Sequence, residues 1–151
     1  MDGVRAYWDG ESLTSKQAND IACPEWFLEA LPLGLKLEGE LWMGRNSFDA
    51  LMTVLNSKSS PLWKQVKYVL FDMVDSSMTY ESRSEALQVL SLPPFVSVVA
   101  AQKCQGNSDL LIRLRSVVEQ QGEGFVLTKP HSLYVGYRTK ERLKVKVSVL
   151  D

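Results

Sequence analysis

Histidine and cysteine are nearly missing from this chain, whose 151 residues hold one of the first and two of the second. Cys23 and Cys104 lie far apart and lack metal-ligand spacing, so they read as reduced thiols of an intracellular protein, not a disulfide framework. His131 stands beside Pro130 with no base, nucleophile or ligand partner near it in sequence, and reads as a surface loop residue. No apolar run approaches the roughly 18 residues of a membrane helix, and no secretion signal opens the chain. The expectation is a protein of cytoplasm, nucleus or organelle lumen with no membrane partner. Walker A, HExxH, serine-elbow and zinc-ligand patterns are all absent, and no GxGxxG follows a strand, which sets aside the ordinary hydrolase and dehydrogenase signatures.

What is present suffices for one domain. At 45% hydrophobic residues, a chain of this length can bury a core without disulfides or metal. The formal net charge of -1 is uninformative, but its distribution is not. Residues 1–49 carry nine acids and four bases, whereas residues 129–146 carry six bases and one acid. A phosphate-bearing partner would find its counter-charge near the C-terminus.

The pattern predicts an α+β order. DGVRAYWDG reads as a strand entering a turn at Asp9-Gly10, with ESLTS returning as its partner. PEWFLEALP predicts a short helix to about Leu31. In LKLEGELW, period two puts Leu35, Leu37, Gly39 and Leu41 on one face and both Glu38 and Glu40 on the other. SFDALMTVLNS predicts a helix capped by Ser47 with Phe48, Leu51, Met52 and Leu55 as its packing stripe. VKYVLFDMVD predicts an interior strand, Tyr80–Leu90 a helix, and SLPPFVSVVAAQKC a strand after a helix-breaking double proline. SDLLIRLRSVVEQQG predicts a helix capped by Ser108, with Leu111, Leu114, Val117 and Val118 facing inward and Gly122 as its stop. GFVLTKP, SLYVGYR and RLKVKVSVL then predict three short strands.

Four stretches carry more charge and glycine than a core strand needs. DGVRAYWDG is either a plain surface hairpin or a charged site element. The two carboxylates of EGELW are either solvated or placed to hold Mg²⁺ or ribose hydroxyls. Glu123 in EGFVLTKP is a turn acid or a carboxylate whose glycine neighbours leave room for a nucleotide. Lys144 and Lys146 in RLKVK face the same way, either guarding an exposed sheet edge or aimed at a triphosphate. Phe71 alone is a core candidate.

Taken in order, DGVR, SKQAND, EGELW, VLFDMVD, EGFVLTKP and RLKVK resemble the successive nucleotidyltransferase motifs of ATP-dependent DNA ligases, especially the small bacterial and viral ones. The likeness spans residues 2–147. It implies an antiparallel-sheet α+β nucleotidyltransferase core, of the kind shared by DNA ligases and mRNA capping enzymes. It further implies ATP or AMP and Mg²⁺ as cofactors, and nicked duplex DNA as partner. Carried over by motif, Asp2 and Arg5 would contact the nucleotide sugar and nick phosphate, and Lys16 would stand at a ribose- and phosphate-touching position. Glu40 would bind ribose or organise metal, and Phe71 would stack on adenine. Glu123 would assist the metal, while Lys144 and Lys146 would hold the α-phosphate and leaving pyrophosphate. Lys16 replaces a usual arginine, Ala18 a usual glycine, Thr128 a common arginine, and Tyr137 the glycine before Arg138.

The family's first motif also has a nucleophilic lysine two residues before its Asp-Gly. Asp2-Gly3 matches that pair and Met1 the intervening position, so the lysine would precede residue 1. The resemblance therefore implies residues 1–151 as a partial adenylation domain, without the lysine, the upstream segment or the family's downstream OB-fold domain. The lysine takes AMP from ATP and passes it to the 5′-phosphate; only the last step, attack of the 3′-hydroxyl, proceeds without it. Sealing of a pre-adenylylated nick is one expectation. A non-catalytic module binding nucleic acid or protein is the other, with a homodimer covering any apolar edge left bare by the upstream segment.

Overall fold

The structure, a computed structural model, describes residues 3–147. A five-stranded sheet carries the fold. Strand β1 (Val4–Trp8) turns back antiparallel into β2 (Leu13–Ser15), then pairs on its other side with β3 (Leu37–Trp42). Strand β4 (Lys67–Met73) lies antiparallel to β3, and β5 (Val96–Val98) adds a parallel edge, giving the order β2-β1-β3-β4-β5. The expected N-terminal hairpin is present, and β4 is interior. The β1–β2 connection takes four residues, 9–12, because Trp8 pairs with Leu13. Within it Asp9 accepts from the backbone N–H groups of Ser12 and Glu11, which holds its carboxyl below the usual range.

Alternation along β3 is as the pattern predicts. Leu37, Gly39 and Leu41 face the core together with Ala6 and Trp8 of β1 and Tyr68 and Leu70 of β4. Helix α1 (Glu25–Glu29), helix α2 (Phe48–Leu55) and a 3-10 helix (Pro61–Gln65) supply Phe27, Leu51, Val54 and Trp63 to that core. Phe27 packs against Trp63 and Phe95 at centroid separations of 5.3 and 4.5 Å. Tyr68 lies across Gly39, and its buried hydroxyl donates to the Ala6 carbonyl at 3.0 Å. An added Cβ at Gly39 would stand 2.6 Å from the Val69 carbonyl oxygen and 2.7 Å from the Tyr68 ring, so the position requires glycine.

Helix α3 (Tyr80–Gln88) leans on β4 and is capped by Thr79, whose hydroxyl accepts from the Ser82 N–H. Helix α4 (Asn107–Glu119) precedes a separate antiparallel hairpin of β6 (Gly124–Thr128) and β7 (Arg142–Lys146).

Several expectations are corrected. Ser47 stands at the N-cap of α2, but its hydroxyl donates to the Gly44 carbonyl instead, closing the preceding turn. The buried residues of α2 are Leu51 and Val54, with Leu55 partly buried against the core and Phe48 and Met52 exposed. Gly106, not Ser108, precedes α4, and none of that helix's residues is fully buried; Leu111 and Val118 are exposed. The left-handed residue that ends α4 is Gln121, with the Gly122 N–H closing on the Val117 carbonyl. The stretch SLYVGYR forms one isolated bridge, Thr79 to Leu133, in place of a strand. The strand expected in SLPPFVSVVAAQKC shrinks to three residues.

Candidate nucleotide-handling site

The face of the sheet opposite the core collects the charge. On β1, Arg5 and Tyr7 point there, and on β3 so do Glu38 and Glu40. A register shift between Glu38 and Gly39 leaves Phe71 of β4 between two paired residues, so that Asp72 comes opposite Glu38. Two carboxylates from adjacent strands thus meet in a place from which water is excluded: Glu38 and Asp72 are each 1% exposed.

Buried carboxylates need partners, and both have them. Arg5 donates to Glu38 from one side, and the Tyr134 hydroxyl donates to its other oxygen at 3.0 Å. Asp72 is gripped by Arg83 in a two-point arrangement, Nε to Oδ1 at 2.7 Å and an η nitrogen to Oδ2 at 3.2 Å. Arg142 of β7 donates to the same Oδ2. Arg83, itself 1% exposed, also donates to the carbonyls of Met78 and Ser132. Four aromatic rings line these guanidinium groups, one of them Tyr134, whose centroid is 5.6 Å from the central carbon of Arg83. Arg5 lies over Phe71 and Tyr7, with its central carbon 5.3 and 5.6 Å from their centroids, and Arg83 and Arg142 lie beside Tyr80. Burial, followed by the charge of Asp72, pushes the Tyr80 hydroxyl up from its ordinary value, so it stays protonated at neutral pH. Tyr134 is raised too, chiefly by burial, and remains a donor to Glu38.

The residues singled out in the sequence fall into two groups. Arg5, Glu40 and Phe71 stand on neighbouring strands of one sheet face, and Arg5 is directly opposite Glu40 in register. Gly3 lies so close to Glu40 that an added Cβ would be 2.6 Å from its Oε1. Lys144 and Lys146 project from β7 on the same side as Arg142, the side turned toward the main sheet. Glu123, just before β6, is 3.5 Å from the Lys146 ammonium. Lys16 follows β2 in an exposed turn. Asp2 lies outside the described residues. Among the described residues no group of three or more His, Cys, Asp or Glu side chains is gathered to hold a metal ion. No helix among them is long and apolar enough to cross a membrane.

Asp72, Arg83, Tyr134 and Arg142 escaped the sequence reading as site members, and Glu38, read there with Glu40 as either solvated or a holder of Mg²⁺ or ribose hydroxyls, is instead buried against Arg5 and Tyr134. Asp72 carried a signal, a lone acid inside an apolar strand, and Arg142 shares the strand parity of Lys144. Arg83, in the polar helix YESRSEALQ, carried none.

Comparison with known proteins supplies the kinship. Over 151 aligned residues, 98% of the chain, it is 28% identical to a DNA ligase of Haemophilus influenzae. Its backbone superposes on a solved Lig E DNA ligase with a TM-score of 0.88 and 31% identity over 97% of the chain. The chain is a homologue of DNA ligase catalytic domains. A Chlorella virus DNA ligase-adenylate structure matches the fold at 22% identity and a TM-score of 0.78, again over 97% of the chain. The mostly antiparallel α+β architecture is accordingly the nucleotidyltransferase core of those ligases. No protein-family model matches. The chain spans 56% of the Haemophilus ligase, 59% of the Lig E chain and 58% of the Chlorella virus ligase, somewhat over half of each.

Proposed function

We propose that residues 1–151 serve as the nucleotide- and phosphate-handling domain of a DNA ligase, acting on a nicked duplex. The observation that supports this most is the gathering of Arg5, Glu40 and Phe71, drawn from three separate motifs, on one sheet face toward which the Lys144- and Lys146-bearing side of β7 is turned. Arg5, partly exposed on that face, is suited to a phosphate oxygen. The two lysines offer a pair of ammonium groups to the phosphates, with Glu123 setting the position of Lys146. Phe71 offers an aromatic surface to the base, shared with Arg5.

Mg²⁺ suits this set as an ion held jointly by one carboxylate, Glu40 or Glu123, and by substrate phosphates, since such ions keep few protein ligands. When bound it would neutralise phosphate charge.

For a polypeptide of these 151 residues the expected reaction is the sealing of a nick whose 5′-phosphate already carries AMP. The 3′-hydroxyl oxygen bonds to the 5′-phosphorus, the bond from that phosphorus to AMP breaks, AMP leaves, and the hydroxyl proton passes to solvent. Arg5, Lys144 and Lys146 would stabilise the crowded oxygens as charge shifts onto AMP. The test is a gel assay with a 5′-adenylylated nick and Mg²⁺, beside a 5′-phosphorylated nick with ATP, with Glu123→Ala and Lys144→Ala as controls. Sealing of the adenylylated nick, lost in both variants, is expected. Absence of sealing together with absence of calorimetric heat on adding ATP and Mg²⁺ would overturn the proposal.

A further inference from the structure

Among the described residues the β6–β7 hairpin has no strand partner in the main sheet. Helix α4 behind it buries no residue fully, and a two-stranded hairpin is marginal by itself. What holds it against the sheet is therefore a small number of polar contacts. Arg142 reaches from β7 to Asp72 on β4, and Asp72 is fixed in turn by Arg83 of α3. The Ser132 carbonyl, in the loop between β6 and β7, accepts from both Arg83 and the Tyr80 N–H. The same loop is held further by Tyr134 on Glu38 and by the Glu81 N–H on the Pro130 carbonyl, whereas Arg142 on Asp72 is the contact made from β7 itself, two residues from Lys144 on the same side of the strand.

We propose that Arg142 and Asp72 are positioning residues, a latch that sets the distance between the lysine-bearing strand and the nucleotide-handling face. The inference rests on the ligase assignment for what the lysines do, but the latch itself does not depend on it. A guanidinium anchored on a buried carboxylate has little rotational freedom, so the backbone of Arg142 is fixed and with it the departure points of Lys144 and Lys146. Lysine side chains are long and flexible; without a fixed base their ammonium groups would spread over a much larger volume than a phosphate occupies. Asp72 touches no substrate in this scheme, and acts only through Arg142.

The test uses the 151-residue chain and two variants, Arg142→Met and Arg142→Lys, in two measurements. In amide hydrogen exchange, Arg142→Met is expected to lose at least about tenfold protection across Gly124–Thr128 and Arg142–Lys146 while β3 and β4 exchange as before. Arg142→Lys, which keeps the charge but not the planar fork, should recover part of it. In sealing of an adenylylated nick, Lys144→Ala should cost at least about tenfold in the parent and less than about threefold when added to Arg142→Met, because an unlatched lysine has little left to lose. Unchanged hairpin exchange in Arg142→Met, or equal Lys144→Ala losses in both backgrounds, would overturn the latch. If the parent seals nothing, the calorimetric test decides the ligase assignment and hydrogen exchange alone decides whether the latch exists.

Discussion

Replacing Gly39 by alanine tests the packing that separates the core from the charged face. The added methyl carbon would sit 2.6 Å from the Val69 carbonyl oxygen, 2.7 Å from Tyr68 Cε2 and 3.1 Å from Leu70 Cα. Two of those three atoms are backbone of the adjacent strand, so β3 and β4 must separate or the Tyr68 ring must leave its contact with the Ala6 carbonyl. Overpacking of this kind costs about 1–3 kcal/mol. Alanine restores about 0.5–1 kcal/mol by restricting the unfolded chain. The net expectation is a loss of about 1 kcal/mol, or a melting temperature lower by about 2–4 °C for a domain of this size. Gly136→Ala is the matched control, since nothing lies within 4 Å of the atom it adds and its φ is not in the left-handed region. Thermal unfolding followed by circular dichroism, wild type beside both variants, reads the difference. A Gly39→Ala protein melting with or above Gly136→Ala would refute the packing argument.

Two further predictions follow from single positions. Ala18 holds φ at 62°, in the left-handed region, where its N–H closes the turn on the Ser15 carbonyl. That conformation costs a non-glycine residue about 1–2 kcal/mol, so Ala18→Gly should be neutral or raise stability by up to about 1 kcal/mol in urea unfolding, where most glycine substitutions lower it. Cys23 is buried and burial pushes its thiol up to about 12, whereas Cys104 is exposed. Iodoacetamide at mildly alkaline pH should therefore add one carbamidomethyl group, at Cys104, and mass spectrometry of the native protein showing rapid double labelling would contradict the placement. The sign of the accompanying pH effect is fixed: the stability that the neutral Cys23 thiol contributes is full below its unfolded value of 9.0 and is lost as pH rises toward about 12.

The sheet was legible where the residues repeat with period two, and the site was legible only where chemistry lies within a few residues. LKLEGELW declares its two faces through alternation, and β3 keeps them. The hairpin at Asp9-Gly10 was legible because the turn residues act on their own backbone, as the Asp9 hydrogen bonds do. SLYVGYR has the same alternation yet forms no strand; its Ser132 carbonyl is taken by the Tyr80 N–H and by Arg83, and Leu133 makes an isolated bridge with Thr79. The helix stripes were misplaced in α2 and α4, which bury two residues and none, because a moment gives direction but not how much surface is there to receive it. Glu38 and Tyr134 are 96 positions apart, and Asp72 and Arg142 are 70. No local pattern carries such a pairing; it arises when the sheet brings the carboxylates together and charge must be balanced within a dry interior.

That balance also separates the two kinds of charge in the molecule. Glu38, Asp72 and Arg83 are sequestered and mutually bonded, so they are poor candidates for taking hold of a ligand: each would have to surrender a charge-assisted bond in a place that water cannot reach. Arg5 and the lysines of β7 keep solvent-facing surface and can exchange water for phosphate oxygens at much smaller cost. Substitutions in the first set should therefore disturb geometry, and those in the second should disturb affinity. Glu38→Gln illustrates the first case. It leaves the shape of the side chain but weakens the bonds from Arg5 and Tyr134, each worth about 1.5–3 kcal/mol as a charged hydrogen bond. It should lower the melting temperature and loosen Arg5, whereas Lys144→Ala should leave the melting temperature in place while phosphate binding falls. A Glu38→Gln protein that melts normally yet loses binding would mean that Glu38 itself faces the ligand, and the division between buried frame and exposed grip would have to be redrawn.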